Sequence, residues 1–182
     1  SGVLFETFNV NNSSGIDDLL NNQPNFPNNP RETALISGFD SRLFYADDSH
    51  ENYAGRLRGL FIPPVSGNWQ FHMRSDDPGR LFFNPTGPSA AGKIQVGDQS
   101  GCCNGFPASG AQLSPAFPLI GGQAYYVELL WREFGGGDYG QVAVALQGTP
   151  GPTTANLAGY LVGAGAAPAG IGGPVNITQQ PV

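Results

Sequence analysis

The stretch NYAGRLRGLFIPPVSGNWQFHMRSDDPGRLFF, residues 52 to 83, contains three runs in which apolar side chains alternate with others or follow one another. Two prolines and a glycine separate the first run from the second, and Pro78 and Gly79 separate the second from the third. Apolar alternation between such breakers is typical of β-strands joined by turns. The stretch therefore predicts three short strands, with Asp76 and Asp77 in the turn of a hairpin.

The same pattern extends through the rest of the chain. Further short apolar runs occupy residues 3 to 10, 92 to 96, 123 to 133 and 140 to 147. The 27 Gly and 16 Pro residues, with few helix-favouring stretches, favour an all-β fold that is rich in loops. Only SSGIDDLL, residues 13 to 20, predicts a helix. We expect an all-β antiparallel β-sandwich with long loops and at most one short helix.

The composition changes after residue 148. Residues 149 to 182 consist largely of small residues, Gly and Pro, and LAGYLV within them predicts one last strand. We therefore predict a sandwich domain over residues 1 to 148. Residues 149 to 182 are interpreted as a C-terminal strand and a Gly/Pro-rich linker towards a following module, so that the chain is part of a larger multidomain protein.

Charge and hydropathy argue against two classes of partner. The chain has 14 acidic and 8 basic residues, for a net charge of -6, and this balance supplies no basic stripe for a phosphate backbone. Its longest apolar runs are far shorter than the roughly 20 residues that span a bilayer. We expect neither nucleic-acid binding nor insertion into a membrane.

Asp76 and Asp77 are adjacent carboxylates in a predicted turn. They repel each other unless a counter-charge is present, and a hard cation that takes several oxygen ligands resolves the conflict. Calcium fits this requirement best. The alternative is that the pair only caps and solvates the turn, which is how we interpret Asp17-Asp18, at a helix start, and Asp47-Asp48, in a surface loop.

A second segment offers further oxygen ligands. In WREFGGGDYG, three glycines before Asp138 allow main-chain carbonyls to turn towards an ion, and Asp138 adds a carboxylate. The alternative is a glycine-rich hairpin with Asp138 as a turn former. Glu133 is a secondary choice of ligand, and its other interpretation is an ion pair with Arg132. Because neither segment has EF-hand spacing, a calcium site would combine loops that are distant in sequence.

The order of these motifs resembles the PA-fourteen (PA14) domain, a β-sandwich module of anthrax protective antigen, yeast flocculins, bacterial adhesins and some glycosidases. The resemblance covers about residues 2 to 148 and is most specific at G-x-hydrophobic-x-P-P-x-S-G-x-aromatic-x-F running into S-D-D. Lectins of that family hold calcium through two adjacent aspartates joined by a cis peptide, and the ion binds sugar hydroxyls. The resemblance implies these roles for Asp76 and Asp77, with Asp138 and the carbonyl of Gly136 as further ligands.

Cys102 and Cys103 are adjacent and are the only cysteines in the chain. They can pair only with each other or with another chain, and in an oxidising compartment we favour their mutual disulfide over free thiols. Such a ring would give a stiff apolar platform beside a ligand site, or only a local staple.

Other side chains near these loops are candidates for sugar contact. Cys102, Cys103, Asn104 and Phe106 in the loop of residues 97 to 110, and Tyr139 in the loop of residues 133 to 140, would supply hydrogen bonds and an apolar wall. An exposed ring of Phe134 could also stack on a sugar face. The alternative for each ring is packing within the loops.

Three aromatic residues within strand patterns are interpreted as structural. Trp69 and Trp131 are expected to fill the core. Strict alternation places His72 on the opposite face from Trp69, so we predict a solvent-facing side chain.

The leading function is a calcium-dependent carbohydrate-binding module of a secreted or cell-surface protein, which recognises glycans or cell-surface polysaccharide. The alternatives are a structural or adhesion spacer without sugar binding, and an accessory module of a glycosidase. We expect no enzymatic activity, because hydrolysis needs two carboxylates that flank a cleft, whereas the adjacent aspartates would be occupied by a metal. No Ser-His-Asp or HExxH motif is visible.

Overall fold

Two antiparallel sheets pack against each other in the computed structural model, which describes residues 2–11, 15–107 and 109–160. The strands are β1 Val3–Asn9, β2 Glu32–Ile36, β3 Tyr53–Phe61, β4 Gly67–Asp76, β5 Gly79–Phe83, β6 Ile94–Gln99, β7 Phe117–Leu119, β8 Tyr125–Glu133 and β9 Tyr139–Leu146. The helical elements are α1 Ile16–Asn22 and two single 3-10 turns, Ser41–Leu43 and Ala90–Gly92. The predicted all-β sandwich with one short helix is confirmed.

One sheet has six strands in the order β2-β1-β3-β8-β5-β6, and the other has three in the order β7-β4-β9. β8 lies between β3 and β5 in the large sheet, and every one of its residues is buried. β4 lies at the centre of the small sheet. The two central strands end at the same side of the molecule, where Asp76 and Glu133 are located.

The predicted hairpin between β4 and β5 is wrong, because the chain crosses from the small sheet to the large one between them. After Asp76, the main chain joins β8: the Asp77 amide donates to the Arg132 carbonyl at 3.3 Å, and the Arg132 amide donates to the Pro78 carbonyl at 2.9 Å. Pro and Gly favour a tight turn whether the two flanking strands pair with each other in a hairpin or belong to different sheets. The two aspartates therefore stand at a bridge between the layers.

The core fills the space between the sheets, and Trp131 lies fully buried within it. A β-carbon on Gly55 of β3 would lie 2.1 Å from the Trp131 ring, and one on Gly140 of β9 would lie 2.6 Å from it. The indole is thus held between main chain of the large sheet and main chain of the small sheet. Trp69 is also buried, so both tryptophan predictions are confirmed.

The expectation of a solvent-facing His72 is wrong. The side chain is 5% exposed, and its Nδ1 lies 2.7 Å from the Pro107 carbonyl oxygen. The loop before β7 covers this outer face of the small sheet, and His72 pairs with Leu113 through an isolated bridge. Alternation correctly placed His72 opposite the core, but it could not show that a loop covers that face.

Residues after 148 also pack on the sandwich. Ala158 and Tyr160 form isolated bridges with Gly38 and Leu60, and Leu157 is buried in the core. The side chain of Asn156 forms hydrogen bonds with both main-chain groups of Val144. Residues 161–182, which include the end of LAGYLV and the predicted linker, lie outside the described residues. Among the residues that are described, no helix is long and apolar enough to cross a membrane.

Candidate functional site

Three carboxylates meet where β4 and β8 end. Asp76 is the last residue of β4, Asp77 follows it, and Glu133 is the last residue of β8. One oxygen from each carboxylate lies within 4.8 Å of the others. Asp76 is 5% exposed and Glu133 is fully buried, while Asp77 is half-buried. The site therefore combines one side chain of the large sheet with two side chains at the crossover between the sheets.

The backbone fixes Asp76 and Asp77 in position. Their peptide bond is cis, as the PA-fourteen resemblance implied. The Phe134 amide donates to the Asp77 Oδ2 at 3.0 Å, and this bond attaches the crossover to the residue after β8. On the other side, Asp76 is paired in register with Tyr139 of β9. Main-chain contacts thus position the two carboxylates between the end of β8 and the start of β9.

The Glu133 carboxylate has no hydrogen-bond partner among the described residues. Both carboxylate oxygens are buried and neither forms a hydrogen bond. Burial raises the pKa of Glu133 to about 9, and the charges of Asp77, Asp138 and Asp76 contribute in the same direction. Buried polar groups are normally satisfied, and a buried carboxylate without a partner is costly. A cation bound here would satisfy Glu133 and fits the donor set.

The pKa of the Asp76 carboxyl is raised for similar reasons. Burial raises the pKa of its carboxyl, and the charges of Asp77 and Asp48 raise it further, against a lowering effect of Arg42. The main chain of Gly137 packs closely on this carboxylate, since a β-carbon there would lie 2.2 Å from the Asp76 Oδ2. The glycine-rich segment therefore contacts Asp76 directly, and Gly137 requires the absence of a side chain.

The structure does not bring Asp138 into this carboxylate group. Asp138 is fully buried, its Oδ1 accepts a hydrogen bond from the Tyr53 hydroxyl, and its Oδ2 lies 3.4 Å from the His50 Nδ1. Burial raises the pKa of Asp138, while the Tyr53 hydrogen bond lowers it. The Asp138 carboxylate contacts Tyr53 and His50, and its Oδ2 has no hydrogen-bond partner among the described residues. Its role as a ligand stays a prediction, and Glu133, the secondary choice, is the residue that the structure groups with Asp76 and Asp77.

Two acidic residues that precede β3 support the glycine-rich segment. The Asp48 Oδ1 accepts a 3.0 Å hydrogen bond from the Asp138 amide, and the Glu51 Oε1 accepts one of 3.3 Å from the Gly136 amide. Asp48 also forms an ion pair with Arg42. The sequence interpretation of Asp48 as an ordinary surface residue missed this contact, since nothing in the sequence places it beside residues 136 to 138.

Cys102 and Cys103 are joined by a disulfide beside the carboxylates. The Cys103 Sγ lies 3.4 Å from the Asp76 Oδ2, and the Cys103 amide donates to the Ser75 carbonyl at 3.3 Å. Both cysteines are exposed. The disulfide therefore forms a solvent-facing wall next to Asp76.

The other predicted contact residues line the same wall, partly through contacts with one another. The Asn104 side chain is exposed and donates to the Gln112 Oε1 at 3.1 Å. The guanidinium of Arg74 lies between two half-buried rings, 5.1 Å from the centre of Phe106 and 4.7 Å from that of Tyr139. These two rings are therefore already occupied on the face turned to Arg74.

Phe134 presents the most accessible ring beside the carboxylates. Its side chain is 42% exposed, and the Arg132 guanidinium lies 4.3 Å from the ring centre. The Arg132 guanidinium in turn donates to the Tyr53 carbonyl at 3.0 Å and to the Asn52 Oδ1 at 2.7 Å. The Arg132 guanidinium thus packs against the Phe134 ring, and the rest of the ring remains accessible to a ligand.

No family model matches the chain. Among curated proteins, mouse fibrocystin-L is 26% identical over 133 residues, which are 73% of this chain and 3% of that protein. Among solved structures, a PA14 sugar-binding domain from an RTX adhesin has a TM-score of 0.59 at 18% identity, with 88% of this chain and 98% of that chain covered. The chain has the PA14 fold.

Two other solved structures share this PA14 fold. Epithelial adhesin 9 A domain from Candida glabrata, in complex with Galβ1-3GlcNAc, has a TM-score of 0.55 at 13% identity and covers 82% of this chain and 83% of its own. A β-glucosidase from Kluyveromyces marxianus, in complex with glucose, has a TM-score of 0.52 at 18% identity, over 80% of this chain and 16% of its own. In the β-glucosidase the matched region is a small part of a longer chain.

Proposed function

We propose that the chain is a calcium-dependent carbohydrate-binding module of a secreted or cell-surface protein. The observation that carries this proposal is the convergence of Asp76, Asp77 and Glu133, with both Glu133 oxygens buried and without a hydrogen bond among the described residues. A site built for neutral ligands would not concentrate repelling carboxylates at the end of two central strands.

Calcium is the cation that suits this donor set. It takes six to eight oxygen ligands in flexible geometry, and it accepts carboxylates together with main-chain carbonyls. Asp76, Asp77 and Glu133 supply the charge, and a carbonyl of the glycine-rich segment, Gly136 in our assignment, adds a neutral ligand. Asp138 anchors that segment through its hydrogen bond with the Tyr53 hydroxyl. When bound, the ion offers its remaining positions to sugar hydroxyls.

Sugar recognition follows from the wall beside the ion. The Cys102-Cys103 disulfide and the Phe134 ring supply apolar surface on either side of the carboxylates, while Asn104 supplies a polar group. Phe106 and Tyr139 shape the wall through Arg74. Two of the PA14-fold structures described above are a sugar-binding domain and an adhesin domain bound to a disaccharide, which supports glycans as the partners.

An extracellular location and the absence of catalysis belong to the same proposal. Disulfides persist in oxidising compartments, which supports secretion or surface display. The β-glucosidase with this fold has it in only 16% of its length, which fits a module that accompanies catalysis performed elsewhere in a chain.

The test pairs calcium calorimetry with a glycan array. Asp77→Asn should remove both calcium uptake and calcium-dependent sugar binding, whereas Asp17→Asn, at the exposed start of α1, should retain both. Calcium uptake without any glycan signal would assign the chain as a structural spacer. Failure to take up calcium, or sugar binding that survives chelation, would refute the proposal.

A further inference from the structure

A second cleft lies on the outer face of the large sheet, away from the core. Its floor is formed by side chains of three adjacent strands, and its walls by the loops before β2 and before β6. The cleft has a volume of about 460 Å³, and its polar lining includes Glu6, Asn28, Arg56, Arg58, Lys93 and Glu128. This size suits a sugar or another small molecule rather than a lone inorganic ion.

In the floor of the cleft, buried acidic side chains lie under more exposed basic ones. Glu6 and Glu128 have side chains that are only 4% and 2% exposed, and they lie beneath the cations. Glu6 lies 2.6 Å from the Arg56 Nε and 2.9 Å from the Arg58 Nε, while Glu128 lies 2.5 Å from the Lys93 Nζ. The acidic groups are thereby used to position the basic ones.

The basic groups are those that a ligand would meet. The side chains of Arg58 and Lys93 are 30% and 32% exposed. The cleft has one more basic than acidic side chain, although the net charge of the chain is -6. The basic residues are Arg56, Arg58 and Lys93, and the acidic ones are Glu6 and Glu128. An unbalanced charge in a partly desolvated cleft is stabilised by a counter-ion, and Arg with Lys recognises carboxylate, sulfate or phosphate groups well.

We propose that this cleft binds an anionic sugar, with a uronate carboxylate or a sulfate on Arg58 and Lys93, independently of calcium. The anion would pair with the two exposed cations. Sugar hydroxyls would find acceptors and donors in Asn28 and in the main chain of the surrounding loops. The proposal does not depend on the carboxylates of Asp76, Asp77 and Glu133.

The experiment uses the complete 182-residue chain in chelator, with three probes: an oligogalacturonate, a sulfated heparin-derived oligosaccharide and a neutral maltooligosaccharide. Lys93 is the only lysine, so its acetylation can be followed by mass spectrometry with the N-terminal amine as internal reference. An anionic probe should protect Lys93 and give a binding isotherm, while the neutral probe should do neither. Protection by one anionic probe alone identifies that anion as the ligand chemistry.

Variants then localise the binding. Lys93→Gln and Arg58→Gln should each weaken anionic-sugar binding about tenfold, as expected for a charge-assisted hydrogen bond. Arg80→Gln, which removes a cation of β5 that lies outside the cleft, should leave the affinity within about twofold. Melting curves show which variants fold, and Lys93 protection in the native chain needs no variant.

Three outcomes would overturn the proposal: no binding of either anionic probe, binding without protection of Lys93, or binding that Lys93→Gln leaves intact. Asp77→Asn distinguishes this site from the calcium site, since anionic-sugar binding in chelator should persist in that variant.

Discussion

Asp77 accepts a 3.0 Å hydrogen bond from the main-chain amide of Phe134, and this bond ties the crossover between the sheets to the end of β8. Glu133 immediately precedes Phe134, so the contact places two carboxylates from distant parts of the sequence beside each other. The donor amide directly follows β8, and hence the spacing of the carboxylates depends on where β8 ends.

The identity of the third carboxylate ligand can be tested with a matched pair of variants. Glu133→Gln keeps the size of the side chain but removes the charge, so we expect the calcium affinity to fall at least about tenfold. Asp138→Asn should keep the affinity within about twofold, because Asp138 turns to Tyr53 and His50. Calorimetric titration measures both. The reverse result would support Asp138, and not Glu133, as the ligand.

Calcium binding should release protons. The pKa of Glu133 in the metal-free fold is about 9, against an ordinary value of 4.5, so the folded state holds a proton that the unfolded chain loses. The metal-free protein should therefore lose stability as pH rises from about 4.5 to about 9. If calcium binds the ionised Glu133 carboxylate, the proton must leave, so the calcium affinity should rise with pH over this window.

Thermal melting in chelator between pH 5 and pH 9 checks the stability trend, and calorimetry in buffers of different ionisation enthalpy checks proton release. Glu133→Gln serves as the control and should show a shallower fall of melting temperature with pH. An identical slope in the variant would contradict the assignment of this proton to Glu133.

Gly137 should be sensitive to the smallest substitution. In Gly137→Ala the new methyl group would lie 2.2 Å from the Asp76 Oδ2, so the carboxylate or the loop must shift. We expect calcium affinity to fall about tenfold or more, since ligand position governs binding to such sites. Gly151→Ala adds a methyl group with nothing within 4 Å and should leave calorimetric affinity unchanged.

The disulfide should affect sugar binding rather than the ion. Mass spectrometry of unreduced protein should find no free thiol, because Cys102 and Cys103 are bonded to each other. A Cys102→Ser, Cys103→Ser double variant should retain calcium uptake and bind glycans more weakly, as the apolar wall beside Asp76 is altered. Two alkylatable thiols in fresh protein, or unchanged glycan binding in the double variant, would count against this role.

Gly55 tests how tightly Trp131 is held between the sheets. A methyl group at this position would lie 2.1 Å from the indole, and overpacking of this kind costs about 3 kcal/mol of unfolding free energy. Chemical denaturation of Gly55→Ala measures the loss. Gly101→Ala, with no atom within 4 Å of the added carbon, should be nearly neutral. Equal stability of the two variants would show that the core yields around the indole.

The sequence predicted the long central strands well because burial on one or both faces leaves strong apolar patterns. β8 and β4 begin and end within a few residues of the predicted runs. It missed β2 and β7, which are short and half-exposed and so carry little pattern. The sequence also did not show that the chain crosses to the other sheet after Asp76. The pattern of one strand does not indicate which other strand it pairs with.

For the site, adjacency in sequence was both the useful signal and the misleading one. Asp76 and Asp77 were identified because two neighbouring carboxylates need a reason to stay together. Asp138 was preferred over Glu133 because it follows the glycines, and its contact with Tyr53 is one that the sequence does not indicate. The roles of Asp48 and Glu51 arise only when the segment before β3 folds over the glycine-rich loop.

Asp76 belongs to the small sheet and Glu133 to the large one, and an ion held by both would join the two layers of the sandwich at their edge. Removing the ion should therefore first cause local opening at this edge. The expected signs are faster hydrogen exchange at the ends of β4 and β8 and earlier cleavage by proteases in the neighbouring loops. The concentration of calcium around the protein would then help to set how long the folded module survives, as well as what it binds.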